Sequence, residues 1–258
     1  MLWSIIRVSA LGDRDMLRDV DSLRSELLAR LRTDGYAFLQ PSAAHAVLQL
    51  DLAALEALRP TWERLPRDAY LRDAGHYRAR RHSCYLQTPA VAALEAAPHR
   101  AHWQPTSYNA LHGGLERWFE PLEPVLATSR AWQQLVGSLG ELFAELQPVA
   151  RWYIEAHQFR IDTASGIGRP TPEGAHRDGV DFVAIVLVGR RALRGGETHV
   201  FDAHGTGGVR FTMEQPWSML LLDDARVIHE TTPIQSESGE GVRDTLVLTY
   251  RAHGFQQP

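Results

Sequence analysis

A chain of 258 residues, 44% hydrophobic and 22% charged, has enough apolar material for a sizeable core and too little polarity for disorder. A net charge of −4 gives no electrostatic reason to expect nucleic acid or an anionic membrane surface as a partner. The one cysteine, Cys84, excludes an intramolecular disulfide, fits a reducing cytoplasm, and reads as a small buried hydrophobe.

The apolar N-terminus stops at Arg7, too short for a secretory signal core, and no run has the length of a membrane helix. No linker, repeat or low-complexity segment divides the chain, so a single domain over 1–258 is expected, with helical support mainly in 14–146 and a β core mainly in 149–252. Residues 14–34 place Leu17, Val20, Leu23, Leu27 and Leu31 at helical spacing, and Gly35 follows as a stop. Tyr36–Leu39 reads as a strand. Ser42 is expected to cap a helix that continues, with a break, to about Arg64.

Tyr77 to Tyr85 alternates arginines with aromatic and small residues, so Arg78 and Arg80 share one strand face. Two readings stand: a solvated edge strand whose charges oppose aggregation, or arginines that bind a substrate carboxylate. Residues 88–102 suggest a loop and a short helix, with His99 and His102 on the surface. Gly113-Gly114 allows a tight turn, and Arg117 follows beside Trp118 and Phe119. It either braces a loop by stacking or faces a pocket.

Ser129–Leu146 repeats the helical pattern, with Leu135, Val136, Leu139, Leu142 and Phe143 on one side and Pro148 at the end. From Val149 the period changes to two. Trp152, Ile154, Ala156, Gln158 and Arg160 fall on one face, and Tyr153, Glu155, His157, Phe159 and Ile161 on the other. Only one of His157 and Gln158 can face inward, and Gln158 is expected to do so. Helices first and strands afterwards give an α+β chain with helices on one side of a β core.

A Gly/Pro/Thr-rich loop over 162–174 leads to His176-Arg-Asp178. On a strand, these two side chains share a face. Strands follow over 181–188, 195–201, 218–223 and 241–250, and His229 lies between the last two. Two His and one carboxylate on one side of a metal leave its other positions open, the arrangement of non-haem Fe(II) oxygenases. Structural zinc takes four protein ligands, usually with Cys, and Cys84 is distant. A zinc hydrolase with the same three ligands stays open, as does a cupin-like binding protein without turnover. Neither needs Arg243, which opens the last strand where a guanidinium could hold a carboxylate in bidentate fashion, with Thr245 on the same face. Asp224 and Asp181 could orient a ligand His, and Asp181, three residues after Asp178, should face away from the metal.

The run from Gln158 to Tyr250 resembles the bacterial 2-oxoglutarate/Fe(II) dioxygenases of the free-amino-acid hydroxylase branch, the L-isoleucine dioxygenase-like enzymes. His157-Gln158, Pro172-Glu173-Gly174, His176-Arg177-Asp178-Gly179, Gly195-Gly196, Asp223-Asp224, His229, Thr232-Pro233-Ile234 and Arg243-Asp244 carry the resemblance. It implies a double-stranded β-helix, a cupin-like jelly roll with N-terminal helices packed on one face. It also implies Fe(II) on His176, Asp178 and His229, and 2-oxoglutarate with its C5 carboxylate on Arg243, helped by Thr245 and Gln158. With O2, succinate and CO2 would be released and a C–H bond of a small free amino acid hydroxylated. Arg78, Arg80 and Arg117 are the candidates for the substrate carboxylate. A carboxylate at position 178 leaves no place for a halide, which favours hydroxylation over halogenation. A homodimer through the helices is compatible with this reading.

Overall fold

The computed structural model describes residues 4–7, 11, 19–71, 76–91, 94–109 and 111–258. After β1 (Ser4–Arg7), helix α1 (Val20–Asp34) buries Leu23, Leu27, Leu28 and Leu31. The expected helical residues 14–18 lie outside the described residues. Gly35 ends α1 at φ +77°, where a Cβ would come within 2.9 Å of the Arg226 Cβ, so the stop needs glycine both for its backbone and for space.

Strand β2 (Tyr36–Leu39) and helix α2 (Pro41–Leu48) follow. Ser42 does not cap α2. Gln40 holds the cap position and Pro41 starts the helix, because a ring-fixed φ and a missing N–H cost nothing there. The break in the expected long helix is real: α3 (Leu52–Glu56) restarts with the Asp51 side chain accepting from Ala54 N, and a 3-10 turn covers Arg59–Arg64. Strand β3 (Arg78–Gln87) is followed by β4 (Leu94–Ala96), a strand in the segment expected to form a short helix. Helix α4 (Pro124–Ala127) precedes α5 (Arg130–Leu146), whose first turn is capped by Ser129 Oγ accepting from Trp132 N.

The remaining elements are strands: β5 (Trp152–Asp162), β6 (Phe182–Arg191), β7 (Leu193–Gly195), β8 (Glu197–Asp202), β9 (Gly207–Thr212), β10 (Met219–Asp223), β11 (Val227–Thr231), β12 (Ile234–Ser236) and β13 (Val242–Arg251). The larger sheet has the order β2-β10-β6-β13-β5-β3-β4, and the pairs within it are antiparallel. The smaller has the order β1-β9-β8-β11. The result is an α+β jelly-roll core with its helices on one side.

Strand β6 shows why its sequence is apolar throughout. Ala184, Val186 and Val188 pack toward α1, α2 and α5, while Val183, Ile185 and Leu187 pack against Val200 and Val227 of the smaller sheet. Both faces are covered, so alternation has nothing to mark. Under α5, Phe143 stacks on Phe182 at 4.6 Å and meets Tyr250 edge-on at 5.0 Å. Phe143→Ala is expected to destabilise the fold by about 3–5 kcal/mol, because neither partner strand can move to fill the void. A denaturant midpoint shift at unchanged slope checks it. Among the described residues, no helix is long and apolar enough to cross a membrane.

Candidate metal centre and adjoining cavity

His176, Asp178 and His229 converge. Their ligand atoms lie within 4.8 Å of one another, with His176 Nε2 3.9 Å and His229 Nε2 3.8 Å from the Asp178 carboxylate. The expected strand at His176 is a single bridge instead. His176 and His229 exchange backbone hydrogen bonds of 3.0 and 2.9 Å, and the chain around Asp178 is a loop. A directly opposed antiparallel pair puts both rings on one side, 4.6 Å apart.

The donor set fits a divalent transition metal. His176 Nδ1–H donates to the Gly174 carbonyl at 2.9 Å, which leaves the Nε2 lone pair aimed at the centre. His229 Nδ1 is buried without a partner, so its ring is held by packing. Burial depresses the pKa of His229, with His176 adding to the effect, and keeps it a neutral ligand. At His176 burial acts in the same direction, but the Asp178 and Glu173 carboxylates outweigh it and raise the pKa.

Asp224 does not orient a ligand His. It is fully buried and accepts from the amides of Asp178, Gly179 and Val180 at 2.9, 2.8 and 3.1 Å, so it shapes the loop that presents Asp178. Burial, then the charge of Asp178, pushes its carboxyl up to about 6. Asp224→Ala strands three half-buried amides. A loss of about 2–4 kcal/mol of stability and a roughly 10–100-fold weaker metal affinity are expected, read by thermal unfolding and by competition with a chelator. Asp181 faces away as expected, accepting from Gln147 Nε2 and Ala252 N.

One cavity joins this triad to two groups of polar side chains. On the first side, Arg243, Thr245, Val247 and Thr249 line it from one face of β13. Arg243 is buried, its Nη2 has no partner, and burial, with Arg190 nearby, pulls its pKa down to about 10. Such a guanidinium awaits an anion. Gln158 does not share this cavity. The alternation along β5 puts it on the helix side, where its Nε2 donates to Thr61 Oγ1 at 2.8 Å, and His157 lines the cavity in its place.

On the second side, Arg78, Arg80 and Arg117 all line the cavity, and all three are buried. The solvated-edge reading of β3 fails because β3 lies between β5 and β4. Arg78 pairs with Asp68 at 2.7 Å and leaves Nη2 without a partner. Arg80 is sandwiched between Phe119 and Phe159 at 3.9 and 4.4 Å. Arg117 donates to Gln104 Oε1 at 3.0 Å and leaves Nε without a partner, and Gln104 in turn donates to Asp178 at 3.3 Å. Trp118 is exposed, so Arg117 does not brace an aromatic loop.

His102 is not a surface residue. It is buried, lines the cavity, and joins His82, Glu155 and His157 in a second convergent group. The shared face of Glu155 and His157 follows from their period. The register that sets His82 opposite His157 and Cys84 opposite Glu155 is not visible in either strand alone. Cys84 is buried, as its isolation implied.

A family model described as 2OG-Fe dioxygenase matches residues 59–249, well over half the chain. A bsmA homolog from Methylobium petroleophilum PM1 is 53% identical over 99% of both chains, with a TM-score of 0.88. IDO from Bacillus thuringiensis shares the fold at 18% identity, over 97% of this chain and 100% of its own, with a TM-score of 0.72. An oxidoreductase of the 2OG-Fe(II) oxygenase family from Burkholderia pseudomallei shares it at 15% identity, over 99% and 100%, with a TM-score of 0.58. No curated protein matches the chain.

Proposed function

This chain belongs to the 2OG-Fe dioxygenase family, and on that premise we propose that it hydroxylates a C–H bond of a small free L-amino acid or a close derivative. Fe(II), 2-oxoglutarate and O2 are the family's cofactor and cosubstrates. His176, Asp178 and His229 would hold the iron, and Arg243 with Thr245 would hold the distal carboxylate of 2-oxoglutarate. Bound iron and cosubstrate supply the oxidising power, and the protein supplies orientation and a dry pocket.

The observation that carries the amino-acid reading is a second pair of guanidiniums. Arg78 Nη2 and Arg117 Nε are buried without partners, on two residues that line the cavity. Arg243 already provides for one carboxylate, so these two provide for another, on the substrate. Buried donors left unmet cost stability, and a carboxylate bound in bidentate or bridging fashion recovers it. Arg80, held between two rings, fixes the wall behind them. The Asp178 carboxylate occupies the position a halide would need, which supports hydroxylation over halogenation.

The test is succinate release with Fe(II), ascorbate and 2-oxoglutarate across a panel of free amino acids, with products read by mass spectrometry. A product heavier by one oxygen from at least one amino acid is expected. Turnover restricted to substrates without a carboxylate would sink the reading, and turnover without O2 would favour a zinc hydrolase.

A further inference from the structure

Resting on the amino-acid reading, we propose that His102, backed by Glu155, receives the substrate's α-ammonium group, beside Arg117 for the α-carboxylate.

The group around Glu155 looks at first like a second metal site, since His82, His102 and His157 all point at it. The protons exclude this. A guanidinium has donors and no lone pair, so Arg80 Nη2, 2.7 Å from His157 Nδ1, must donate to it. Neutral His157 then carries its proton on Nε2, the atom facing Glu155 Oε2 at 3.6 Å. That nitrogen has no lone pair for a metal, and a cation there would share one imidazole with the Arg80 charge. His82 Nε2 and His102 Nδ1 lie 3.0 and 2.6 Å from the same oxygen, so both donate to it. The group is a buried carboxylate that gathers N–H donors.

The tautomer of His102 follows. With its proton on Nδ1, its Nε2 bears a lone pair, and the residue lines the cavity. Burial, with Arg117 and Arg80 nearby, brings its pKa down to about 3, so the ring is neutral at physiological pH. An imidazole of this kind accepts a hydrogen bond from a cation, and the Glu155 charge behind it compensates that cation in a medium of low dielectric.

The backbone sets the spacing. His102 and Arg117 exchange hydrogen bonds of 2.9 and 3.0 Å as a directly opposed antiparallel pair. Side chains of such a pair stand on one face with Cβ atoms about 5 Å apart. One offers an acceptor and the other a donor fork, the complement of an α-ammonium next to an α-carboxylate. Gln104 lies two residues after His102 and donates to Asp178, so a single side chain links this receptor to the triad.

The experiment is anaerobic calorimetry on enzyme loaded with Fe(II) and 2-oxoglutarate. It is titrated with the preferred amino acid of the panel and with the 2-hydroxy acid of the same side chain. The wild type is expected to favour the amino acid. In His102→Leu and in Glu155→Gln, amino-acid affinity should fall roughly 10–100-fold, the worth of a charge-assisted hydrogen bond, while the 2-hydroxy acid is affected far less, so the preference collapses. Binding of 2-oxoglutarate verifies that each variant is folded, and Glu155→Gln, which keeps the shape, decides if His102→Leu is not. Amino acids that bind with an unchanged preference in both variants overturn this inference alone. Failure of every amino acid to bind the wild type overturns the amino-acid reading and this inference with it. A second divalent ion per chain in elemental analysis, lost in His102→Leu, also overturns it.

Discussion

His176→Ala is expected to lower 2-oxoglutarate-dependent succinate release by roughly a thousandfold or more, equivalent to about 4 kcal/mol of transition-state stabilisation. Among the described residues, the Nε2 atom of His176 is one of the three ligand atoms that converge here, and its aim is fixed by the Nδ1–H bond to Gly174. Alanine removes that atom but keeps both backbone bonds that pair residue 176 with His229. The fold should therefore survive, and circular dichroism with an unfolding curve near that of the wild type would show that it has. Full turnover in a folded variant would remove this triad from the chemistry.

Arg243→Met is expected to raise the Kd for 2-oxoglutarate by roughly 30–5,000-fold, the range for truncating one partner of a buried charge pair. The expected stability effect has the opposite sign. Without cosubstrate, the Arg243 guanidinium is buried with Nη2 unpartnered, and burial already disfavours its charge. Methionine fills much the same space without that penalty, so the cosubstrate-free variant should unfold at a temperature no lower than the wild type. 2-Oxoglutarate should raise the wild-type Tm and leave that of the variant nearly unchanged. A variant that still responds fully to 2-oxoglutarate would place the anchor elsewhere. The pair of measurements separates a residue kept for binding from one kept for packing.

Part of the geometry of the last hundred residues was legible because it is local. His176 and Asp178 are neighbours, and Arg243 and Thr245 share a strand face that period two reveals. The helix ends at Gly35 and Ser129 were legible for the same reason, since a cap is a matter of a few adjacent residues. What the sequence concealed depends on register or on distant contact. Gln158 and His157 are equivalent in a period-two pattern, and only the 3-10 turn carrying Thr61 decides which of them the helices cover. His102 reads as a surface residue because no residue near it in sequence stands at metal-ligand spacing. Its burial comes from pairing with Arg117 and from Glu155 on another strand. Three arginines in one short segment suggest solvent, yet Arg78 and Arg80 are buried, their burial offset by Asp68 and two phenylalanine rings.

Two separate lengths of chain meet in the cavity on either side of β5, which itself adds Glu155, His157, Phe159 and Ile161 to the wall. Residues 176–245 provide the triad with Arg243 and Thr245, while residues 78–117 provide Arg78, Arg80, His102 and Arg117. Changes in the earlier length can therefore reshape one wall without touching the triad in the later one. Grafting residues 78–117 from another member of the family, with the matching Glu155 and His157, is the natural unit of exchange for transplanting preference without rebuilding the engine.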